Sequence, residues 1–394
     1  MRIFYASDTT AVPPVQSNVW RNNLYLSLRA LGHDVVEFEY DFGETFRNLD
    51  PSIPAQAAFI RENRPRLTRE LLRQVRAAHA ARPIDLFFSY FYDACVLPEA
   101  IDEIRSLGIV AVNWYCNASY QLHLVREIAP HYDWCLVPEK FRLPDYEALG
   151  AHPIYCQEAA NPDIYRPYDV PISYDVSFVG QSYGDRPAYV RFLLDHGVDV
   201  HAFGPGWERL RASAAPPRQA HPLRRLGHIA RRLSTLDGWR RAFERLTGSA
   251  ASAPAPVIPD ANAGPPLSDE EMILLYSRSK INLGFSTCGE THRSQERIVQ
   301  IRLRDFEIPM SGGFYLVEHM DELAEFFEIG KEIACYRDRD DLLDKIRYYL
   351  AHDAERDAIR RAGRERCLRD HTWQRRFQDA FRQMGLSGRG SASP

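Results

Sequence analysis

The sequence predicts an α/β protein of two doubly wound domains facing a central cleft, and three observations carry that prediction. Short apolar strands alternate with helical patterns up to Cys156. A proline-punctuated stretch, Asn161-Pro-Asp-Ile-Tyr-Arg-Pro-Tyr-Asp-Val-Pro171, then breaks the alternation. A second strand–helix–strand unit starts directly after it. Strands alternating with helices imply a parallel sheet with right-handed crossovers, and two such units joined by a short hinge imply two sheets.

The elements follow in order. Predicted strands are Ile3–Ala6, Val35–Phe38, Ile84–Phe88, Ile109–Trp114, Tyr132–Val137 and Pro153–Cys156. Between them, helical patterns cover Val19–Leu31, a polar segment around Arg66–Ala81, and Pro98–Ser106, with Gly32-His-Asp as a turn. After the hinge, Tyr174–Val179 reads as strand, Arg186–His196 as helix and Val198–Phe203 as strand. Helices Asp341–Leu350, Ala354–Arg369 and Trp373–Gln383 close the chain. The expected division is 1–165 for the first domain and 172–384 for the second, with an insertion at 207–267 and a disordered tail at 385–394. No G-x-G-x-x-G follows the first strand, so a dinucleotide-dehydrogenase reading lacks its main support.

The insertion departs from the pattern. Between Trp207 and Leu246 stand ten arginines against Glu208, Asp237 and Glu244. Leu223, Leu226, Ile229, Leu233, Leu236, Trp239, Phe243 and Leu246 recur every three or four residues, as in a basic amphipathic helix pair. A low-complexity linker from Gly248 to Pro266 follows. A basic amphipathic segment suits an anionic membrane surface through 207–246, or it packs locally with its arginines solvated.

Composition narrows the function classes. The 394 residues suffice for two cores. A net charge of −4 argues against a nucleic-acid binder. Seven scattered cysteines without a C-x-x-C pair fit reduced thiols better than disulfides or zinc. The chain opens on a strand pattern instead of a signal peptide, and no apolar run approaches the ~20 residues of a membrane span. A cytoplasmic protein is expected, peripheral to the inner membrane face if the insertion docks there. Asp338-Arg-Asp-Asp341 has a metal-like spacing but precedes a helix, where Asp favours capping, so no metal is expected.

The chemistry concentrates in Arg302-Leu-Arg-Asp-Phe-Glu-Ile-Pro-Met-Ser-Gly-Gly-Phe314. Read as a helix entering a glycine turn and a strand, it sets Arg297, Gln300, Arg304 and Glu307 on one side. Val299, Leu303, Phe306 and Met310 form an apolar stripe. Guanidinium forks pair bidentately with a diphosphate, and a buried carboxylate accepts two hydroxyls of a sugar diol. Upstream, Val179-Gly-Gln-Ser-Tyr-Gly-Asp-Arg186 links a strand to a helix. There Gly180 and Gly184 would let backbone N–H groups approach an anion at the N-terminus of the following helix, with Gln181 and Ser182 beside the donor and Arg186 adding charge.

Arg304-Asp-Phe-Glu-Ile-Pro and Gly312-Gly313-Phe resemble the signature of CgeB-type (spore-maturation-like) glycosyltransferases, a branch with the GT-B fold. The resemblance continues through Leu323–Ile333, Asp341–Leu350, Ala362–Leu368 and His371-Thr-Trp, and takes in Val176–Gly180 upstream. It implies transfer of a sugar from a nucleotide-diphosphate sugar to a glycan, lipid-linked or protein acceptor, without a metal or other cofactor. It implies that the first domain holds the acceptor, the second the nucleotide sugar, and that the last helix crosses back to the first domain. Glu307 matches a ribose-binding glutamate, with Arg304 the diphosphate partner and Arg302, Gly312 and Gly313 beside the donor. The glutamate eight positions earlier in many retaining relatives is Val299 here. On the acceptor side stand Asn18, Trp20, Asn117, Ser119 and His123. Relatives often carry a carboxylate near Asn117, and an asparagine cannot serve as a base. His123, His131 and Glu158 are base candidates by region only. Glu307 and the lack of an evident base favour retention, while the anomeric outcome stays open. A nucleotide-sugar epimerase or hydrolase of the same architecture, or a non-catalytic sugar-binding protein, are the alternatives.

Overall fold

Strands covered by helices on both faces read as near-continuous apolar runs, and Leu86–Ser89, Val110–Trp114 and Trp134–Val137 do so. A computed structural model describes residues 1–7, 17–213, 256–288 and 297–386. The first sheet contains β1 (Arg2–Ala6), β2 (Asp34–Glu37), β3 (Leu86–Ser89), β4 (Val110–Trp114), β5 (Trp134–Val137) and β6 (Pro153–Tyr155). All pair in parallel, in the order β2-β1-β3-β4-β5-β6. The second contains β7 (Tyr174–Val179), β8 (Val200–Phe203), β9 (Ala263–Gly264), β10 (Ser279–Gly284), β11 (Tyr315–Glu318) and β12 (Ala334–Tyr336). Its order is β12-β11-β10-β7-β8-β9, again parallel throughout. The chain reverses direction across each sheet between β1 and β3 and between β7 and β10. Crevices at such reversals, beyond the carboxyl ends of the strands, are where ligands of doubly wound sheets bind.

Separate cores hold the two sheets. One gathers Phe4, Leu24, Phe87, Val112 and Leu136, and it also takes Trp373, Phe377 and Phe381 of the final helix, Trp373–Gln383. Trp373 meets Trp114 edge-on at 5.2 Å between ring centroids. The last helix of the chain therefore belongs to the first core by packing. The second core centres on Val176, Val200, Ile281 and Leu316.

Three elements differ from the sequence reading. The segment before β3 is one 28-residue helix, Pro54–Ala81, with Pro65 inside it. The sequence reading places a helix only around Arg66–Ala81; Leu67, Leu71 and Val75 are buried on the first core and offset the hydrogen bond that the interior proline removes. The first helical segment begins as a π-turn, Arg21–Tyr25, before α-helix Leu26–Ala30. The extended stripe upstream of Arg304 is not helical, because the helix spans only Arg304–Met310. Ile298, Val299 and Ile301 favour extended backbone, and Val299 bridges Thr287 in antiparallel fashion. The predicted basic helix pair lies almost wholly in 214–255, outside the described residues, as does the tail from 387. The second half of the predicted low-complexity linker is a correction: Ile258 is buried in the second core and Ala263–Gly264 form β9 against β8. Among the described residues no helix is long and apolar enough to cross a membrane.

Candidate active site

Segments that leave the carboxyl ends of the two sheets meet each other. After β1, the backbone N–H of Asn18 and the Nδ2 of Asn22 donate to Asp269 Oδ2 at 2.9 and 2.8 Å. After β4, Ser119 Oγ stands 3.8 Å from Cys288 Sγ, which follows β10. Tyr155 at the end of β6 donates to Glu322 at 2.9 Å, and Lys140 after β5 pairs with Glu325. Asp269 heads a helix, Asp269–Arg278, fixed by a reciprocal capping box between Ser268 and Glu271. The cleft is thus bounded by polar contacts on two sides.

The second-domain wall of the cleft is basic. Arg186 is buried where β7 and β10 separate, donating to the Gln181 and Phe285 carbonyls at 3.2 and 3.3 Å. Its guanidinium lies 3.9 Å from the Tyr183 ring centroid. Burial, and after it the charges of Arg302 and Arg304, lower its pKa to about 10, against the opposing effect of Tyr183. It stays charged at neutral pH. Arg302 donates through Nη2 to the Thr287 carbonyl at 2.9 Å, and its buried Nε has no partner. Tyr120 and Glu158 from the first domain and Tyr183 from the second act on its charge. Arg304, also with an unpartnered Nε, sits among Tyr276, Glu307, Tyr315 and Tyr165.

Glu307 is 2% exposed. Burial raises its pKa, while Arg304 and hydrogen bonds from Tyr165 and Asn23 work against the rise. Its Oε1 is buried without a partner. Arg297, expected beside Glu307, instead pairs with Glu318 at the end of β11 and donates to Thr287 Oγ1 at 2.8 Å.

Several expected donor contacts are corrected by the geometry. The N–H of Gly180 donates to the Phe203 carbonyl at 2.9 Å, and that of Ser182 to the Pro205 carbonyl at 3.0 Å. These amides tie the β7 turn to the β8 turn and are not free for an anion. Gly180 is glycine for packing, since a Cβ there would meet the Phe178 ring at 2.5 Å. Gln181 is exposed and contributes its carbonyl to Arg186. Gly312 and Gly313 lie at the opposite end of the sheet, before β11. Gly312 ends the preceding helix at φ +73°, and a Cβ on Gly313 would meet Asn282 Nδ2 at 2.8 Å. They shape a helix–strand turn and do not face the cleft.

The first-domain wall is aromatic and acidic. Trp20 lies edge-on to Trp114 at 4.6 Å and near Tyr90 at 5.4 Å. Asn117 donates to the Tyr90 hydroxyl at 3.4 Å, which holds a buried pair of tyrosines, Tyr90 and Tyr92. Ser119 is buried, and its N–H donates to Glu139 at 3.4 Å. His123 is exposed in a short turn, Leu122–Leu124. His131 pairs with Asp102 at 2.9 Å, ahead of β5 and so at the far end of the sheet from the cleft. Glu158 is buried and its pKa is raised well above the usual carboxylate value, by burial first and by the charges of Glu139, Glu307 and Asp305, against Arg302.

Sequence reasoning missed Glu139, Asp269 and Tyr165. Glu139 follows β5 directly, and burial lifts its pKa to about 7 despite N–H donors from Ser119 and Ala118 and the charge of Arg142. A carboxylate two residues beyond an apolar strand was the available signal. Asp338 accepts from the N–H groups of Asp340 and Asp341, a helix cap as expected. Among the described residues no group of three or more His, Cys, Asp or Glu is placed to hold a metal. All seven cysteines are buried and none is in a disulfide.

Two facing doubly wound sheets with a shared cleft define a GT-B protein. A family model described as glycosyl transferase-like matches residues 186–382, half of the chain. The chain belongs to that family and is a glycosyltransferase. Solved structures share the fold across nearly the whole chain. Sucrose-phosphate synthase from Thermosynechococcus elongatus is 12% identical, with a TM-score of 0.57, 98% of this chain and 100% of that chain covered. HepE of Anabaena, in complex with UDP and glucose, is 10% identical, with a TM-score of 0.55 and coverage of 98% and 99%. An alpha-glucosyltransferase in complex with UDP-glucose and DNA containing an abasic site is 12% identical, with a TM-score of 0.57 and coverage of 98% and 99%. No curated protein sequence matches the chain.

Proposed function

We propose that this glycosyltransferase takes its sugar from a nucleotide-diphosphate sugar and passes it to a glycan, lipid-linked or protein acceptor held by the first domain. The convergence of Arg186, Arg302 and Arg304 on the reversal point of the second sheet carries the reading. Three guanidinium groups in a water-poor cleft stabilise a departing diphosphate without reorganising as its charge develops, so the scheme needs no metal. Side chains supply the charge, since the Gly180 and Ser182 amides of the β7 turn are engaged by the Phe203 and Pro205 carbonyls. Glu307, with one buried oxygen unpartnered beside Arg304, suits a ribose diol. Retention fits a first-domain loop that presents Asn117 in place of a carboxylate. The Arg304–Pro309 and Gly312–Phe314 signature supports placement in the CgeB-type branch. A cytoplasmic location, with 207–246 touching anionic lipid, completes the reading. UDP-bearing structures of similar fold make UDP the first nucleotide to try.

Calorimetry with nucleoside diphosphates tests the donor site. At least one should bind the wild type, and Glu307→Gln should weaken it by about 1.5–3 kcal/mol, the value of a charge-assisted hydrogen bond. Unchanged affinity in the variant would remove Glu307 from the donor site.

A further inference from the structure

Two arginines of the basic wall hang on one loop. Arg186 Nη2 donates to the Phe285 carbonyl at 3.3 Å, and Arg302 Nη2 to the Thr287 carbonyl at 2.9 Å. Both carbonyls belong to the segment that leaves the carboxyl end of β10. A carbonyl moves only with its backbone, so this loop sets where the two guanidinium groups stand.

Two sets of contacts hold the loop. The Cys288 N–H donates to the Ile298 carbonyl at 2.9 Å and the Gln300 N–H to the Ser286 carbonyl at 3.2 Å, which pairs it with the extended segment ahead of Arg302. The second set converges on Glu318, the last residue of β11, which is buried. Its Oε2 accepts from the Ser286 N–H at 3.0 Å and from the Thr287 hydroxyl at 3.3 Å. Its Oε1 accepts from Arg297 Nη2, and Arg297 Nε donates to Thr287 Oγ1 at 2.8 Å. The Glu318 carbonyl accepts from Ser286 Oγ at 3.3 Å. Ser286 and Thr287 are 0% and 4% exposed, so little water is at hand to replace a lost acceptor.

A carboxylate at the cleft end of a strand first suggests a ligand contact. Both oxygens of Glu318 already have protein partners, however, and its charge would repel an anionic donor if Arg297 did not balance it. We infer that Glu318 is a positioning residue for diphosphate recognition, an inference that rests on the donor reading above. It fixes the β10 exit loop, and the loop's carbonyls fix Arg302 and Arg186. Arg302 depends on it more, because Arg186 also donates to the Gln181 carbonyl at 3.2 Å. Cations already in place stabilise a developing charge without reorganisation.

Calorimetry on the full chain with UDP and UMP isolates this effect, since only UDP carries the second phosphate. Where these do not bind, the diphosphate and monophosphate of another nucleoside take their place. Glu318→Ala should lower the preference for the diphosphate by about tenfold, but by less than about twofold in the Arg302→Ala background, because members of one network are not additive. A residue that only supports the fold would weaken both nucleotides alike, or lower the preference equally with and without Arg302. Either result would overturn the inference. Glu318→Gln keeps an acceptor for the Ser286 N–H and should recover most of the preference. A loss as deep as that of Glu318→Ala would move the effect to the Arg297 pair and overturn the brace. If Glu318→Ala does not fold, Thr287→Val takes its place, since it removes the bridging hydroxyl and keeps the carbonyl. It should lower the preference severalfold with Arg302 present and not without it; an unchanged preference would overturn the inference. Failure of every nucleoside diphosphate to bind the wild type would overturn the donor reading as well, whereas binding with additive losses overturns the role of Glu318 alone.

Discussion

The two walls of the cleft carry opposite charge and treat it differently. On the second domain, Arg186 and Arg302 are anchored on the Gln181, Phe285 and Thr287 carbonyls, which hold them still without cancelling their charge. On the first, burial of Glu139 and Glu158 outweighs the Ser119 and Ala118 donors and the charges of Arg142 and Arg302, and their pKa values rise. A guanidinium group tolerates such a place because it cannot lose its proton at neutral pH. A carboxyl group answers the same burial by becoming neutral. The difference separates a permanent anion site from a wall whose charge depends on pH.

The largest expected effect comes from breaking the basic wall. Arg304→Ala should lower turnover roughly 100-fold or more, the scale of removing an electrostatic stabiliser of the transition state. It should also lower the melting temperature, because Glu307 would stay buried without its neighbouring cation. Arg302→Ala should lower turnover comparably with a smaller loss of stability, since its described hydrogen bond is to a carbonyl. Steady-state kinetics and thermal melts on both variants separate the roles. Near-normal turnover in both would dissociate the arginine cluster from catalysis.

The acidic wall should show itself through pH. A folded-state pKa near 7 for Glu139, above its unfolded value, means that the folded protein binds the extra proton between those two values. Stability from this group is therefore full at acid pH and falls as pH rises through about 7. Glu139→Gln should raise stability at pH 8 by on the order of 2 kcal/mol and change it little near pH 5. Equal shifts at both pH values would mean that Glu139 ionises freely.

How much of this was legible from sequence divides by physical cause. Strands buried on both faces announce themselves, and Tyr174–Val179, Pro98–Ser106 and Trp373–Gln383 stand where the apolar pattern placed them. The charged stripe from Arg297 to Glu307 misled because its three- and four-residue spacing was accidental, and branched residues 298, 299 and 301 took extended backbone. Gly180, Gly312 and Gly313 looked like ligand contacts, yet a close approach by Phe178, a left-handed turn and contact with Asn282 account for them. Arg304 and Glu307 were marked by a family signature, whereas Glu139 had no such mark. Its character comes from burial beneath the Ser119 loop, a long-range property that no local pattern encodes.

The smallest expected effect concerns what joins the two walls. Asp269, half-buried, accepts from the backbone of Asn18 and the side chain of Asn22 across the cleft. Asn22 lies in the π-turn, and its carbonyl accepts from Asn161 at the hinge at 2.7 Å. Bulged helical turns often mark functional positions, and this one links cleft and hinge through a single residue. Asp269→Ala removes both cleft contacts while leaving the arginines and carboxylates in place. Two hydrogen bonds of modest net value should shift the open–closed balance by about 1–2 kcal/mol. Donor KM should then rise several-fold with little change in kcat, because closure carries binding energy that both ground and transition states share. Small-angle scattering should show a larger radius of gyration for the free variant. If scattering and KM both match the wild type, the Asn18–Asp269–Asn22 contact does not hold the cleft shut, and the walls are brought together by Tyr155–Glu322 and Lys140–Glu325 on the other side.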